Sequence, residues 1–297
     1  MATARDHVPL GPRPDLPFAE RVAALEGAFS GRLGYHAIHL DSGRELALRP
    51  DEAFGTASVI KVALCTAVLD LVARGQAALD EPVPLPPRTE RVAGGGVLKQ
   101  LDVPALSLRD LVELTIAVSD NVATNALLDR LGGDDVLHRY LDGIGLPGTR
   151  MFGPVDFARI GPDRPDGTIG VTTPREQTRL LTDLYRGEVP SPELARLLVD
   201  CLGRQHFLDQ LPRWLGANAY AQYHGRVSDP WVANKVGELD GLRCDVALVR
   251  AAGRGAIAAG VFTEGGRDRR ETVDCEGTLA VAECGAAIAS ELLGLDA

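Results

Sequence analysis

The feature that most restricts the fold of this chain is where its strand-like segments fall. GYHAIHL and ELAL, joined by the turn-forming DSGR, lie within the first 50 residues, whereas WVANKVGE, LRCDVALVRA and AIAAGVFTE lie beyond residue 230. Short runs rich in β-branched and aromatic residues, broken by Gly and Asp, read as strands, and the first two as a β-hairpin. Between them the spacing is helical. VIKVALCTAVLDLVARG starts near Thr56–Ser58 and stops at Gly75, and SLRDLVELTIAVSDN opens on an S-x-x-D capping pattern at Ser107–Asp110. Strands at both ends around a helical middle predict an α/β (α+β) fold. Its antiparallel sheet would be flanked by N- and C-terminal helices. The expected division is a discontinuous α/β domain, 1–50 with 220–297, and an all-helical domain, 51–219. Residues 148–173, rich in Gly, Pro and Asp, read as a long loop inside the second, and a loop of that length in a compact domain is usually functional.

At 297 residues and 45% hydrophobic, the chain can bury a substantial core. A net charge of −10 argues against nucleic acid or an anionic membrane as the main partner. No apolar run approaches the roughly 20 residues of a membrane helix, and no secretory h-region follows the first basic residues. A cytoplasmic location is the expectation if the chain is full-length. The five cysteines form no C-x-x-C pair and the six histidines no H-E-x-x-H cluster, so neither a disulfide framework nor a metal or other cofactor is expected.

Positive charge is carried almost wholly by arginine. Of 31 lysines and arginines, only Lys61, Lys99 and Lys235 are lysine. Arginine keeps its proton at ordinary pH, whereas lysine can be made to release one. Lys61 follows Ser58 by three residues, which places both on one face at the start of a helix. There the N-terminal N–H groups favour an oxyanion. A buried Lys61 beside a second cation could accept the serine proton. A helix-capping serine followed by a solvated lysine would give the same spacing. Two further patterns point to the chemical reading: Ser119-Asp120-Asn121, and Lys235-Val236-Gly237 in a strand-like run. In order, these are S-x-x-K, S-D-N and K-x-G.

The set resembles the serine β-lactamase and penicillin-binding-protein superfamily, closest to class A β-lactamases, over nearly the whole chain. The resemblance implies that Ser58 is the nucleophile, Lys61 its general base and Ser119 a proton relay to the leaving group. It also implies that Asn121 binds the substrate amide, and that Lys235 binds a substrate carboxylate while holding down the pKa of Lys61. The N–H groups of Ser58 and Glu238, reached past the small Gly237, would form the oxyanion hole. Asn125 would brace the loop, and Arg243 would bind carboxylate or else be a surface charge.

Three departures stand out. The family's deacylating glutamate has no counterpart, since Thr149 to Thr173 contains no Glu. Its nearest carboxylates are Asp156, Asp163 and Asp166, of which Asp156 is closest to the expected position as a deacylation base, or else forms an Asx turn. Val236 replaces a threonine hydroxyl. Cys65 matches a family disulfide cysteine, but the partner position is Val112.

The expected function is hydrolysis of an amide, ester or β-lactam through an acyl-Ser58 intermediate, on a small-molecule substrate carrying a carboxylate. The alternatives are an acyltransferase or D-peptidase of penicillin-binding-protein type, and a sensor that is acylated without turnover.

Overall fold

The structure, a computed structural model, describes residues 13–160, 168–218, 220 and 228–296. Asp163 and Asp166, and with them the middle of the expected loop, lie outside the described residues. In chain order the first elements are α1 (Phe18–Ala28), β1 (Arg32–His39), β2 (Glu45–Leu48), β3 (Phe54–Gly55) and α2 (Ile60–Ala73). Then come β4 (Pro82–Pro84), β5 (Ala105–Ser107), α3 (Leu108–Ala117), α4 (Asn121–Leu131), α5 (Asp134–Gly143), β6 (Arg150–Met151) and β7 (Gly170–Thr172). The chain closes with α6 (Pro174–Arg186), α7 (Pro192–Gly203), β8 (Trp231–Leu239), β9 (Leu242–Ala251), β10 (Gly255–Glu264) and α8 (Glu276–Leu293).

The two ends of the chain do meet. One five-stranded antiparallel sheet runs β2-β1-β10-β9-β8, with the N-terminal hairpin paired onto the last strand through Arg32↔Glu264 to His39↔Ile257. Alternation along each strand separates two cores. Ile257, Ala259 and Val261 face α1 and α8, while Ala258 and Phe262 face the helical middle. The middle is not purely helical. It holds the small sheet β3-β7-β6 and the pair β4-β5, which close off segments too short and too Gly- and Pro-rich to register as strands.

Helix α2 is apolar on every side, and Ile60 through Leu69 are all buried. Such a helix runs through a core rather than along a surface. Its N-terminal turn therefore lies at the junction of the sheet and the helices. Helix starts follow the capping chemistry: Ser107 Oγ accepts from Asp110 N at 3.1 Å, and Asp120 Oδ1 accepts from Val122 N and Ala123 N.

Candidate active site

Ser58 sits in a 3-10 turn, Ala57–Val59, that feeds into α2. That turn is tied from two sides. Thr56 N donates to Gly170 O at 2.9 Å, and Cys244 Sγ on β9 donates to Thr56 O at 3.1 Å. Ala57 has φ of 39°, a left-handed conformation that costs a non-glycine residue of order 1–3 kcal/mol and persists only where the surroundings enforce it. Ser119 shares this feature at φ 56°. Both strained residues adjoin the proposed chemistry.

Lys61, one turn into the same helical path, is fully buried. Its Nζ contacts Ser119 O at 2.8 Å, Ser119 Oγ at 3.1 Å and Asn121 Oδ1 at 2.7 Å. Burial first, and then the Lys235 charge, push Lys61 well below the ordinary lysine pKa. In the neutral form one contact can reverse, so that a serine hydroxyl donates to the Nζ lone pair. Lys235 is itself fully buried in β8, and burial lowers it to about 8 against the attraction of Asp245. Asp120, between the two motif residues, also gathers Val97 N and Leu98 N on its second oxygen, at 2.7 and 2.8 Å. That fastens the glycine-rich 94–96 turn against Ser119 and Asn121.

Gly237 brings β8 against the Ser58 turn. A Cβ there would lie 2.5 Å from Cys244 Sγ and 2.7 Å from Thr56 O, so no larger residue allows that approach. The next residue, Glu238, lies on the edge strand beside the cavity. Asn125 holds the loop by both backbone groups of one residue: its Nδ2 donates to Val155 O at 3.0 Å and its Oδ1 accepts from Val155 N at 2.8 Å. Glu176 on α6 holds the loop's start, accepting from Gly148 N and the Thr149 hydroxyl.

Ser58, Ser119, Asn121, Val236 and Glu238 line one cavity of about 380 Å³ with Gly95, Phe157, Ile169, Phe207, Asp209, Gln210, Leu239 and Val273. Lys61 and Lys235 lie beneath that surface. Two expected residues are not brought to it. Asp156 Oδ1 accepts from Ala158 N at 2.9 Å, the Asx-type turn, and its side chain lines a separate cavity of about 590 Å³ bordered by Val122, Ala126 and Asp129. Arg243 is buried, not a surface charge. It donates to Leu239 O and Leu242 O at 2.6 and 2.9 Å and pairs with Glu238 Oε1 at 2.7 Å.

Sequence reasoning missed the cavity walls. Phe157, Val273 and the pair Phe207 and Asp209 come from three separate loops. It also missed Asp245, a fully buried carboxyl on β9 that accepts from Asn234 Nδ2 and Leu211 N. Burial raises it to about 8.

Known proteins resemble this chain in sequence and fold. Residues 17–292 match the family model described as the beta-lactamase enzyme family. A β-lactamase of Streptomyces albus G is 30% identical over 254 residues, covering 82% of this chain and 76% of that protein. A β-lactamase of Bacillus licheniformis is 30% identical over 246 residues, covering 76% of this chain and 69% of that protein. The crystal structure of a β-lactamase from Sphaerobacter thermophilus superposes with a TM-score of 0.80 at 26% identity, covering 94% of this chain and 97% of that one. An ancestral class A β-lactamase gives 0.78 at 27% identity, covering 92% and 99%. The chain belongs to the β-lactamase enzyme family, and it is a hydrolase with the class A architecture.

Proposed function

We propose that the protein cleaves a β-lactam, amide or ester through an acyl-Ser58 intermediate. The observation that carries this reading is the buried Lys61, in contact with Ser119 and Asn121 and beside a second buried ammonium, Lys235. Neutral Lys61 takes the Ser58 proton, directly or through the Ser119 hydroxyl, as Oγ bonds to the carbonyl carbon. The N–H groups of Ser58 and Glu238 hold the oxyanion. Collapse breaks the carbon–nitrogen or carbon–oxygen bond, and the leaving atom takes a proton from Ser119, which Lys61 replenishes. Asn121 positions the substrate amide. A preorganised donor pair of this kind contributes about 100- to 1000-fold per donor.

Acyl release is the slower half of the cycle in this reading, because Asp156 is turned into its own loop. The same observation favours a second reading, a protein that stays acylated. Neither Lys235 nor Arg243 presents its charge to the cavity wall, so the carboxylate expected on the substrate meets no cation among the described lining residues. Five buried, unpaired thiols fit a reducing compartment.

The test is turnover of a chromogenic cephalosporin, offered as the free acid and as its neutral ester, by the wild type, Ser58→Ala and Lys61→Ala. Ser58→Ala is expected to abolish turnover, and Lys61→Ala to slow it by about 100- to 10,000-fold, as for loss of a general base. Turnover unchanged in Ser58→Ala would overturn the reading.

A further inference from the structure

The walls of the Ser58 cavity carry charge of one sign. Among the described lining residues the charged ones are Asp209 and Glu238, both acidic. Glu271 adds its field to theirs at Glu238, whose carboxyl is pushed up by burial and by both neighbours against the pull of Arg243. Arg243, the cation paired with Glu238, is spent inward. Its side chain is 4% exposed; Nη1 donates to the Leu239 and Leu242 carbonyls, and Nη2 meets the Arg270 carbonyl and Glu238. Val236 adds no hydroxyl at the strand edge. Phe157, Phe207, Leu239 and Val273 add an apolar part to the wall, with Phe157 and Phe207 more than two-fifths exposed.

We propose that Glu238, seconded by Asp209, makes this cavity select substrates that carry a cationic group on an apolar or aromatic body, and reject those that carry a carboxylate. Glu238 does this in two ways. It occupies Arg243, and it places its own half-exposed carboxylate beside the expected oxyanion site. A substrate carboxylate would face two like charges with no compensating cation among the described lining residues, which is discrimination by repulsion as much as by attraction. An ammonium would pair with Glu238 and Asp209, while its aryl portion covers the exposed faces of Phe157 and Phe207. The inference rests on the proposed Ser58 chemistry and specifies the substrate class of that same site.

Arylboronic acids test it, because boron takes up the Ser58 oxygen reversibly and the ring carries the charge under study. Calorimetry compares 3-(aminomethyl)phenylboronic, phenylboronic and 3-carboxyphenylboronic acids on the wild type, Glu238→Gln, Asp209→Asn and Ser58→Ala. The aminomethyl compound is expected to bind the wild type about tenfold tighter than phenylboronic acid, and the carboxy compound about tenfold weaker, both differences shrinking at high salt. Glu238→Gln should collapse the spread, and Asp209→Asn, which leaves the Arg243 pair in place, should narrow it. A carboxy compound binding the wild type as tightly as the aminomethyl compound overturns the charge selection while leaving the serine reading intact. So does a spread unchanged in both variants. Binding that survives in Ser58→Ala, or no binding of any of the three to the wild type, overturns the serine reading and this inference with it.

Discussion

Lys61 and Lys235 illustrate how one residue sets the task of another. Only a neutral Lys61 accepts a proton, so acylation should rise with pH through the Lys61 pKa, which burial and Lys235 hold down. Removing Lys235 takes away the second positive charge, so the Lys61 pKa rises. In Lys235→Ala the ascending limb of the acylation rate should therefore move to higher pH, by roughly one unit or more for a buried pair. Stopped-flow acylation rates between pH 5 and 10 check this, and a limb that stays put or moves down contradicts it.

Asp245 acts on stability instead. Its carboxyl ionises near 3.8 in a solvated chain and near 8 in the folded one. Between those values the unfolded chain binds fewer protons than the folded chain, so folding stability falls as pH rises across that window. Asp245→Asn removes this loss. Its melting temperature relative to wild type should climb between pH 5 and pH 8, by the equivalent of about 1 kcal/mol or more. A difference flat with pH contradicts the assignment.

At the scale of elements, the site is a meeting of α2, the α3–α4 turn and the edge strand β8, and Gly237 sets how closely they meet. Gly237→Ala should push β8 off the Ser58 turn, lowering the acylation rate at least about 100-fold, the loss of one oxyanion donor. A wild-type rate in that variant would show that β8 does not serve the oxyanion. Asn125→Ala, stripped of both bonds to Val155, should lose about 1–3 kcal/mol of stability, read by hydrogen exchange as faster opening of residues 153–158.

These elements also mark how far the sequence could be read. That Lys61 would meet Ser119 and Asn121 was legible because S-x-x-K, S-D-N and K-x-G together admit few residue types and few spacings. The capping of α3 at Ser107 was legible for the same local reason. Phe157, Phe207, Asp209 and Val273 were not, since three loops far apart in sequence supply them. Arg243 was visible as a cation, but its Glu238 partner depends on strand register, which the spacing did not reveal. The short strands β3, β6 and β7 form only because tertiary packing stabilises runs of two or three residues.

For the whole molecule, the first and last thirds of the chain build one sheet, and β1 lies between β2 and β10. A chain lacking residues 1–50 would bare the β10 edge and the face covered by α1. It should show no cooperative thermal transition, whereas a sharp transition would mean that the helical middle folds without the sheet.

The same closure sets the Ser58 turn against β8, on the helical side of the sheet. Time-resolved intact mass of the protein with a β-lactam, offered as the free acid and as its neutral ester, reads the acyl-enzyme directly. A single adduct mapping to Ser58 is expected, forming faster with the ester and decaying slowly, and missing in Ser58→Ala. An adduct on another residue, or one formed equally by Ser58→Ala, would contradict the acyl-Ser58 reading.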